Sequence, residues 1–358
     1  MKRVILFFTI GIVAASCTKH TSSVATPADS NYQQVNLVSD TAGFGAEAID
    51  FNLANPWGMA FGPTGSIWIA ANHAGLGLVY NSSGGQFAAP VALPANGIHN
   101  GASATGVVYN NTLSFVIPST GQLASYIFAT EDGIITARGT TDTANGNDST
   151  ITVAGRASLG AVYKGLAIAN DGSGDFIYAA DFHNNRIDVF DHNFNYIPGK
   201  PFIDISLPAG YAPYNIQNIG GDLYVCYALE NPVTLEPKEG VGMGYVDVYS
   251  PLGTLKKRFA AQGTLNAPWG IAQAPASSGQ VTNAILIGNF GDGHINVYDA
   301  AGNYQGQLKN GSTLITINGL RSIGFPTNNA GGFENNILYF TAGPSNERKG
   351  LFGYLKLK

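Results

Sequence analysis

The sequence is poor in charge and nearly free of cysteine. Charged residues make up 11% of its 358 positions, against about 25% in ordinary soluble domains. Lys and Arg total 18 and Asp and Glu total 23, so the chain lacks the excess of basic residues that nucleic-acid binding requires, and we expect no such partner. Two cysteines, Cys17 and Cys226, exclude a disulfide framework. We expect Cys226, in an apolar run, to be a buried thiol.

No apolar run near the N-terminus is long enough to span a bilayer. Residues 4–15 are apolar apart from Thr9 and Gly11, follow Lys2 and Arg3, and lead into Ala-Ser-Cys17. This arrangement resembles the lipobox of bacterial lipoproteins. The resemblance implies a signal peptide at 1–16 and a lipidated Cys17 with a flexible tether over 17–31. The protein would then be exported and lipid-anchored to the cell envelope, at the outer membrane, with the membrane as a partner. An ordinary secretory signal with a coincidental cysteine is the alternative.

Sequence signatures of common enzymes are missing too. The chain has no G-x-S-x-G, no P-loop, no G-x-G-x-x-G and no C-x-x-C, and its six histidines show no metal-ligand spacing. These absences favour a binding protein over an enzyme and identify no catalytic residue. What is abundant is glycine, with 46 residues, together with 11% aromatic residues. That composition is typical of an all-β protein built from short strands and tight turns.

A repeat of about 50 residues organises the chain. Asn55-Pro56-Trp57-Gly58-Met59-Ala60 returns as Ala267-Pro268-Trp269-Gly270-Ile271-Ala272, and weaker copies mark four further units. The equivalent marker positions are Trp57, Thr105, Lys164, Tyr214, Trp269 and Arg321. Four short strands per unit is the size of a propeller blade, so the sequence predicts one six-bladed β-propeller domain over 32–358. We expect it to be a monomer.

Period-two runs of apolar residues predict the inner strands of each blade. In blade two we assign the second strand to Ser114–Ile117 and the third to Ser125–Phe128. Blades one to five each have a candidate outer fourth strand, but the chain ends just after the third strand of blade six. An unpaired edge promotes aggregation. We therefore predict that Gln33–Val38 pairs with blade six and closes the ring.

Two resemblances agree with this fold. Residues 179–190 resemble an NHL repeat, and residues 285–299 match it more loosely, which implies an NHL/YVTN-like propeller. Residues 35–356 are similar to a family of uncharacterised secreted bacterial propellers, whose members often carry a PEP-CTERM-type sorting tail that is absent here. The motifs that carry this second likeness are Asn55–Gly58, Ala129–Gly133, Ala209–Pro213, Asn289–Gly293 and Phe340–Pro344. The resemblance implies fold and export and brings no known activity.

The top face of the propeller, where the innermost strands begin, is the predicted binding surface. The loops before the first strands and between the second and third strands meet there around the channel mouth. The long blade-four loop, residues 229–244, is positioned to cover it. The candidate binding residues are Trp57, Asn72, His73, Lys164, Asp181, His183, Tyr214, Glu230, Trp269, Asn289, Asp292 and Arg321. Each has an alternative role in blade packing or turn capping.

Two hypotheses for function follow. The first is an envelope binding or scaffold module that presents this mouth to a glycan, a peptide or another envelope protein, because aromatic faces stack on sugars and carboxylates and amides bind hydroxyls. The second is a calcium-dependent hydrolase or lactonase. Asp181, Asn289 and Asp292 supply the oxygen ligands that calcium accepts, and the resemblance to six-bladed propellers includes such enzymes. Fold alone does not transfer an activity, and we favour the first hypothesis.

Overall fold

The computed structural model describes residues 31–95, 102–139, 149–327 and 332–358. These form a ring of six small β-sheets. The chain opens with β1 (Tyr32–Ser39) and β2 (Ala48–Ile49). Blade one consists of β3 (Pro56–Phe61), β4 (Ile67–Ala71), β5 (Leu76–Tyr80) and β6 (Gln86–Ala92). Blade two consists of β7 (Ala104–Tyr109), β8 (Ala124–Thr130), β9 (Ile134–Gly139) and β10 (Ile151–Gly155).

The remaining blades follow the same meander of antiparallel strands. Blade three has β11 (Tyr163–Asn170), β12 (Asp175–Asp181) and β13 (Arg186–Phe190). Blade four has β14 (Tyr211–Ile219), β15 (Asp222–Leu229), β16 (Tyr245–Tyr249) and β17 (Leu255–Ala261). Blade five has β18 (Pro268–Gln273), β19 (Ile285–Asn289), β20 (Ile295–Tyr298) and β21 (Tyr304–Gln307). A small hairpin follows, of β22 (Lys309–Asn310) and β23 (Thr313–Leu314). Blade six has β24 (Leu320–Gly324), β25 (Leu338–Ala342) and β26 (Leu351–Leu357).

The ring closes as the sequence predicts. Strand β1 lies antiparallel to β26, with Tyr32 opposite Leu357 and Ser39 opposite Leu351, and β2 extends the same sheet. The first strand of the chain therefore supplies the outer strand of the last blade. The predictions of an all-β fold, six blades and an N-terminal closing strand are confirmed.

Two details of the strand assignment were wrong. Ser114–Ile117 lies in the connection between β7 and β8, because Phe115 has a positive φ of 70° and Val116 forms only an isolated bridge to Leu123. Ser125–Phe128 belongs to β8, which is the second strand of blade two and not the third. Blade three was expected to have four strands but has three in the described ranges, with a single bridge between Phe190 and Tyr196 beyond β13.

The apolar core is divided among the six interfaces between neighbouring blades. One cluster lies at each interface, such as Trp68 and Phe128 between blades one and two, and Tyr178 and Tyr249 between blades three and four. This division follows from the geometry of the fold, since each twisted sheet buries both of its faces against its neighbours. Neither of the 3₁₀ turns in the described ranges is long and apolar enough to cross a membrane.

Candidate functional site

Five of the six marker residues of the repeat contact one another at the axis of the propeller, and Thr105 is buried at the equivalent position of β7. Each innermost strand carries a β-bulge at or next to its marker residue, which interrupts the ladder to the second strand. Bulges redirect side chains, and here residues from blades that are not neighbours come into contact. The Trp57 ring lies 6.1 Å from that of Tyr214 and 6.0 Å from that of Trp269. We call Trp57, Thr105, Lys164, Tyr214, Trp269 and Arg321 the axial ring.

Small residues after the bulge let neighbouring innermost strands approach closely. Gly165 is the tightest of these positions, since a Cβ atom there would lie 2.0 Å from Oδ1 of Asn215 on the next blade. Gly58 and Gly270 face the backbone of the next blade in the same way, with Thr105 O at 2.5 Å and Arg321 O at 2.7 Å. The repeated glycine therefore serves the packing that brings the axial ring together.

Lys164 is one of two fully buried cations in the axial ring. Its Nζ atom forms an ion pair with Glu131, from the turn between β8 and β9, and lies 3.3 Å from a carboxylate oxygen of Glu236 in the blade-four loop. The ammonium also lies 4.9 Å from the centre of the Trp57 ring. The contact between Glu236 and Lys164 confirms the prediction that the long loop of blade four extends over the mouth.

Arg321 is the second buried cation. Its guanidinium lies between two aromatic rings, 3.7 Å from the centre of Trp57 and 3.5 Å from that of Phe290. It donates a 2.6 Å hydrogen bond to the Tyr214 hydroxyl and lies 2.9 Å from a carboxylate oxygen of Glu347, in the turn after β25. Stacking and ion pairing together fix the guanidinium in one plane.

The buried charges shift one another's pKa values. Burial lowers the pKa of Lys164, but Glu131 and Glu236 outweigh it and hold that pKa above its ordinary value. Burial would raise the pKa of Glu131 and of Glu347, yet Lys164 and Arg321 respectively keep each below the ordinary value for glutamate. The pKa of Glu236 is raised by burial and by its two carboxylate neighbours, despite Lys164. Glu236 is therefore the carboxylate of this group that takes up a proton most readily.

Seen from solvent, the mouth is a layer of carboxylates above buried cations. The side chains of Lys164 and Arg321 have no exposed surface, whereas those of Glu131, Glu347 and Glu236 are 19%, 25% and 46% exposed. Glu239, also from the blade-four loop, is exposed. The partial desolvation of its carboxylate, together with the negative charges of Glu347 and Asp292, raises its pKa. Carboxylates therefore form the solvent-facing layer directly above the buried cations, and the exposed Lys238 and Arg348 lie on the same two loops as Glu236 and Glu347.

Other residues that the sequence predicted at the mouth form hydrogen bonds with these carboxylates or lie beside them. Asn72 donates a 3.0 Å hydrogen bond to Glu131. His73 is exposed, with Nε2 lying 3.3 Å from Nδ2 of Asn55, and the same Asn55 amide donates to Glu347 at 3.1 Å. At the edge of the mouth, His183 lies 3.3 Å from Glu230.

The three predicted calcium ligands are divided between two blades. Asp181, on blade three, accepts hydrogen bonds from the Val162 amide and Asn184 and pairs with Arg186. Asn289 and Asp292, on blade five, are joined by a 3.0 Å hydrogen bond. Within the described ranges no group of three or more His, Cys, Asp or Glu residues is arranged to hold a metal ion.

The axial tryptophans do not offer their faces to solvent. Trp57 and Trp269 are 1% and 3% exposed, and both belong to an aromatic cluster with Phe182, Tyr214 and Phe290. The tryptophan faces that were predicted to stack on a sugar are thus covered by the cations and by the carboxylates above them.

Cys226 is buried as predicted, and burial raises the pKa of its thiol. Cys17 lies outside the described residues.

Several residues of the site escaped sequence reasoning, including Phe290, which stacks on Arg321. Glu131, Glu347 and Asn55 were not among the candidates, although Glu131 and Asn55 lie in motifs that carry the likeness to secreted propellers. The signal available was the presence of Lys164 and Arg321 at positions where the other blades carry aromatic residues or Thr. A buried cation requires a carboxylate partner, and turns that open on the top face are where that partner had to be sought.

Comparison with known proteins finds viral relatives. The chain is 35% identical to uncharacterised protein R648 of Acanthamoeba polyphaga mimivirus over 286 residues, which are 76% of this chain and 69% of that protein. It is 33% identical to uncharacterised protein L690 of the same virus over 303 residues, 81% and 78% of the two chains. No family model matches the sequence. These relatives give no support to the expected bacterial origin or to a family sorting tail.

Solved structures share the fold at low identity. A Bacteroides thetaiotaomicron protein of unknown function superposes with a TM-score of 0.54 at 11% identity, covering 91% of this chain and 76% of its own. Virginiamycin B lyase from Staphylococcus aureus gives 0.52 at 12%, with coverage of 92% and 99%. Regucalcin, a calcium-binding protein from Agrobacterium tumefaciens, gives 0.51 at 15%, with coverage of 84% and 90%. At such identities the likeness establishes the propeller fold alone.

Proposed function

The chain belongs to the family of propellers that includes the mimivirus proteins R648 and L690, and we propose that it is an exported binding module. Its top face docks a segment of another protein that carries basic residues flanked by apolar ones. The observation that carries this proposal is the solvent-facing carboxylate layer of the mouth, formed by Glu131, Glu236 and Glu347 above two buried cations.

The charge of the mouth favours a cationic ligand. Lys164 and Arg321 are buried and already paired, so a negatively charged ligand would meet the carboxylates first. Lys or Arg side chains of a partner would instead pair with Glu236 and Glu239, which are the most accessible of these groups. Complementary charge of this kind guides association and selects partners.

Apolar residues surround the acidic centre. Val233 and Val241, both on the blade-four loop, are 87% and 79% exposed, and Leu159 and Phe51 are exposed on the loops that lead into β11 and β3. Such residues at the edge of a charged pocket are typical of a protein interface. A small amine alone would leave them in water, so we favour a peptide segment as the ligand.

Attachment to the envelope is part of the proposal. The n-region, the apolar run and Cys17 support export and lipidation. We expect Cys17→Ser to abolish the mass increase from acylation and to move the protein from the membrane fraction to the soluble fraction. An unchanged mass and an unchanged distribution would contradict the lipid anchor without affecting the proposed docking surface.

The docking surface is tested with two synthetic peptides on the full chain. One peptide alternates Lys with Leu, and its counterpart alternates Glu with Leu. We expect the basic peptide to bind and to weaken as salt rises, because its charge pairs are screened. The double variant Glu236→Gln/Glu239→Gln should lose about tenfold in affinity, at roughly 1 kcal/mol or less for each exposed pair.

The matched control is Glu334→Gln. Glu334 is an exposed carboxylate paired with Lys356 in blade six, outside the mouth. We expect this variant to bind the basic peptide as the unmodified protein does. Equal binding of the two peptides, or equal losses in the double variant and in the control, would refute the docking surface.

A further inference from the structure

The channel contains a cavity below the axial ring. It has a volume of about 700 Å³ and is lined by the innermost strands from just after the ring to the turns at the opposite face, such as Pro63 and Gly220. That volume falls within the range of about 300–1,000 Å³ found for small-molecule sites. Trp269 lies at its upper end. The buried axial ring separates this cavity from the acidic mouth.

The lining of the lower cavity is uncharged and combines polar groups with aliphatic side chains such as Ile168 and Ile219. None of the described residues that line it has a charged side chain. Each innermost strand is an edge strand, paired only with the second strand of its own blade, so its other edge runs along the channel. Backbone N–H and C=O groups therefore face the cavity and require hydrogen-bonding partners. An apolar ligand would leave these groups unpaired, and a charged one would lose hydration without gaining a counter-charge.

Free amide side chains add to this lining. Gln217 and Gln273 are exposed residues of the cavity wall, and neither forms a side-chain hydrogen bond with the part of the chain that is described. Amides donate and accept equally well, so they match hydroxyl groups, which do the same.

Aromatic residues complete the wall. Phe61, Tyr109 and Phe325 line the cavity and are partly exposed, unlike the aromatic residues of the axial ring. Phe325 and Gln273 also line an adjoining pocket of about 350 Å³, which enlarges the site at the lower face. Aromatic rings beside amides suit the flat apolar faces and hydroxyl edges of sugar rings.

From the uncharged, amide-rich and aromatic lining of the lower channel we infer a binding site for a neutral oligosaccharide. The ligand enters from the face opposite the acidic mouth. Its hydroxyl groups pair with Gln217, Gln273 and the exposed strand edges, and its ring faces pack on Phe61 and Phe325. This site is independent of the peptide-docking surface, because the axial ring lies between the two.

The test uses the full chain and three neutral trisaccharides: maltotriose, cellotriose and triacetylchitotriose. Calorimetry and tryptophan fluorescence report binding, with sialyllactose as a charged probe and tetraglycine as a neutral peptide. We expect at least one neutral sugar to bind, with a Kd that changes less than about twofold between about 0.05 and 0.5 M salt. The double variant Gln217→Met/Gln273→Met should raise that Kd about tenfold, because two hydrogen bonds are lost.

Two control variants separate the possible outcomes. Gln86→Met changes an exposed glutamine on β6, at the outer edge of blade one, and should bind as the unmodified protein does. Glu236→Gln/Glu239→Gln should also leave sugar binding intact, even if it abolishes peptide docking. The inference is overturned if no neutral trisaccharide binds at millimolar concentration, if tetraglycine or sialyllactose binds as well as the sugars, or if Gln86→Met loses as much affinity as the channel variant.

Discussion

Lys164 and Arg321 occupy equivalent positions on the innermost strands of blades three and six, and both side chains are completely buried. In a ring of six, these blades face each other across the axis. Each cation takes its carboxylate partners from loops of the top face: Glu131 and Glu236 for Lys164, and Glu347 for Arg321. The axial charges therefore fix loops of three blades in place.

Replacement of Lys164 tests this arrangement. Lys164→Met leaves Glu131 and Glu236 partly buried without a counter-charge, and we expect it to lower the free energy of unfolding by about 2–4 kcal/mol. The double variant Lys164→Met/Glu131→Gln should recover part of the loss. Denaturant unfolding measures both. Lys256→Met is the control, because Lys256 and Asp222 form an exposed pair worth at most about 1 kcal/mol. Equal losses in Lys164→Met and Lys256→Met would contradict a structural role for the axial charge.

The glycine that follows a marker residue gives a second prediction. Gly165→Ala places a Cβ atom 2.0 Å from Oδ1 and 2.6 Å from Cα of Asn215, and overpacking of this kind costs about 1–3 kcal/mol. Gly174→Ala is the matched control in the same blade, since its nearest atom is a Phe176 carbon at 4.0 Å. Thermal unfolding should show a large fall in Tm for the first variant and little change for the second. Similar melting curves would show that blades three and four can separate without cost.

Asp247 predicts a pH dependence of stability. Burial raises its pKa from an ordinary 3.8 to about 6, although Arg258 pairs with it. The folded protein therefore retains a proton that the unfolded chain has released. This contribution to stability is complete below about pH 4 and is lost as the pH rises through 6. Asp247→Asn should reduce the fall in the free energy of unfolding between pH 4 and 7 by on the order of 1–3 kcal/mol.

Asp299 provides a control of opposite sign. Hydrogen bonds from Asn303 and from nearby backbone amides lower the pKa of Asp299 despite slight burial, so its contribution is present above its unfolded pKa and is lost in acid. Asp299→Asn should therefore leave the fall between pH 4 and 7 in place. If Asp247→Asn retains the full pH dependence of the unmodified protein, another group is responsible for it.

Closure of the ring gives a fourth prediction. Without residues 1–39 the chain loses β1, and the edge of β26 is left unpaired. Exposed edges pair with other chains, so we expect aggregation on size-exclusion chromatography and a lower Tm. A chain that begins at residue 31 keeps β1 and should elute as a monomer. Monomeric, stable protein from the shorter chain would show that closure is dispensable.

The sequence contained most of the architecture because the repeat is explicit. The marker residues identify the first strand of every blade, and the missing outer strand of blade six predicts closure by β1. Ser114–Ile117 was wrongly predicted as a strand because its alternation of apolar residues matches a strand pattern. The positive φ of Phe115, which interrupts any strand there, depends on tertiary packing and leaves no mark in the sequence.

The candidate site was harder to predict than the fold. Lys164, Tyr214 and Arg321 were found because they share the repeat position. Glu131 and Glu347 were missed because they lie in turns of blades two and six, and only the closed ring brings them to their cations. The lower cavity left no pattern in the sequence, since much of its wall is the backbone edge of strands.

The direction of β1 also determines which way the molecule faces. Tyr32 pairs with Leu357, at the end of the blade where the innermost strands finish, so the described chain begins at the lower face. A lipid on Cys17 would therefore be joined to that face through residues 18–31, which reach at most about 50 Å even when fully extended. In the proposed anchored form the tether meets the propeller beside the opening of the lower cavity, and the carboxylate layer of the mouth is on the face farther from the point of attachment.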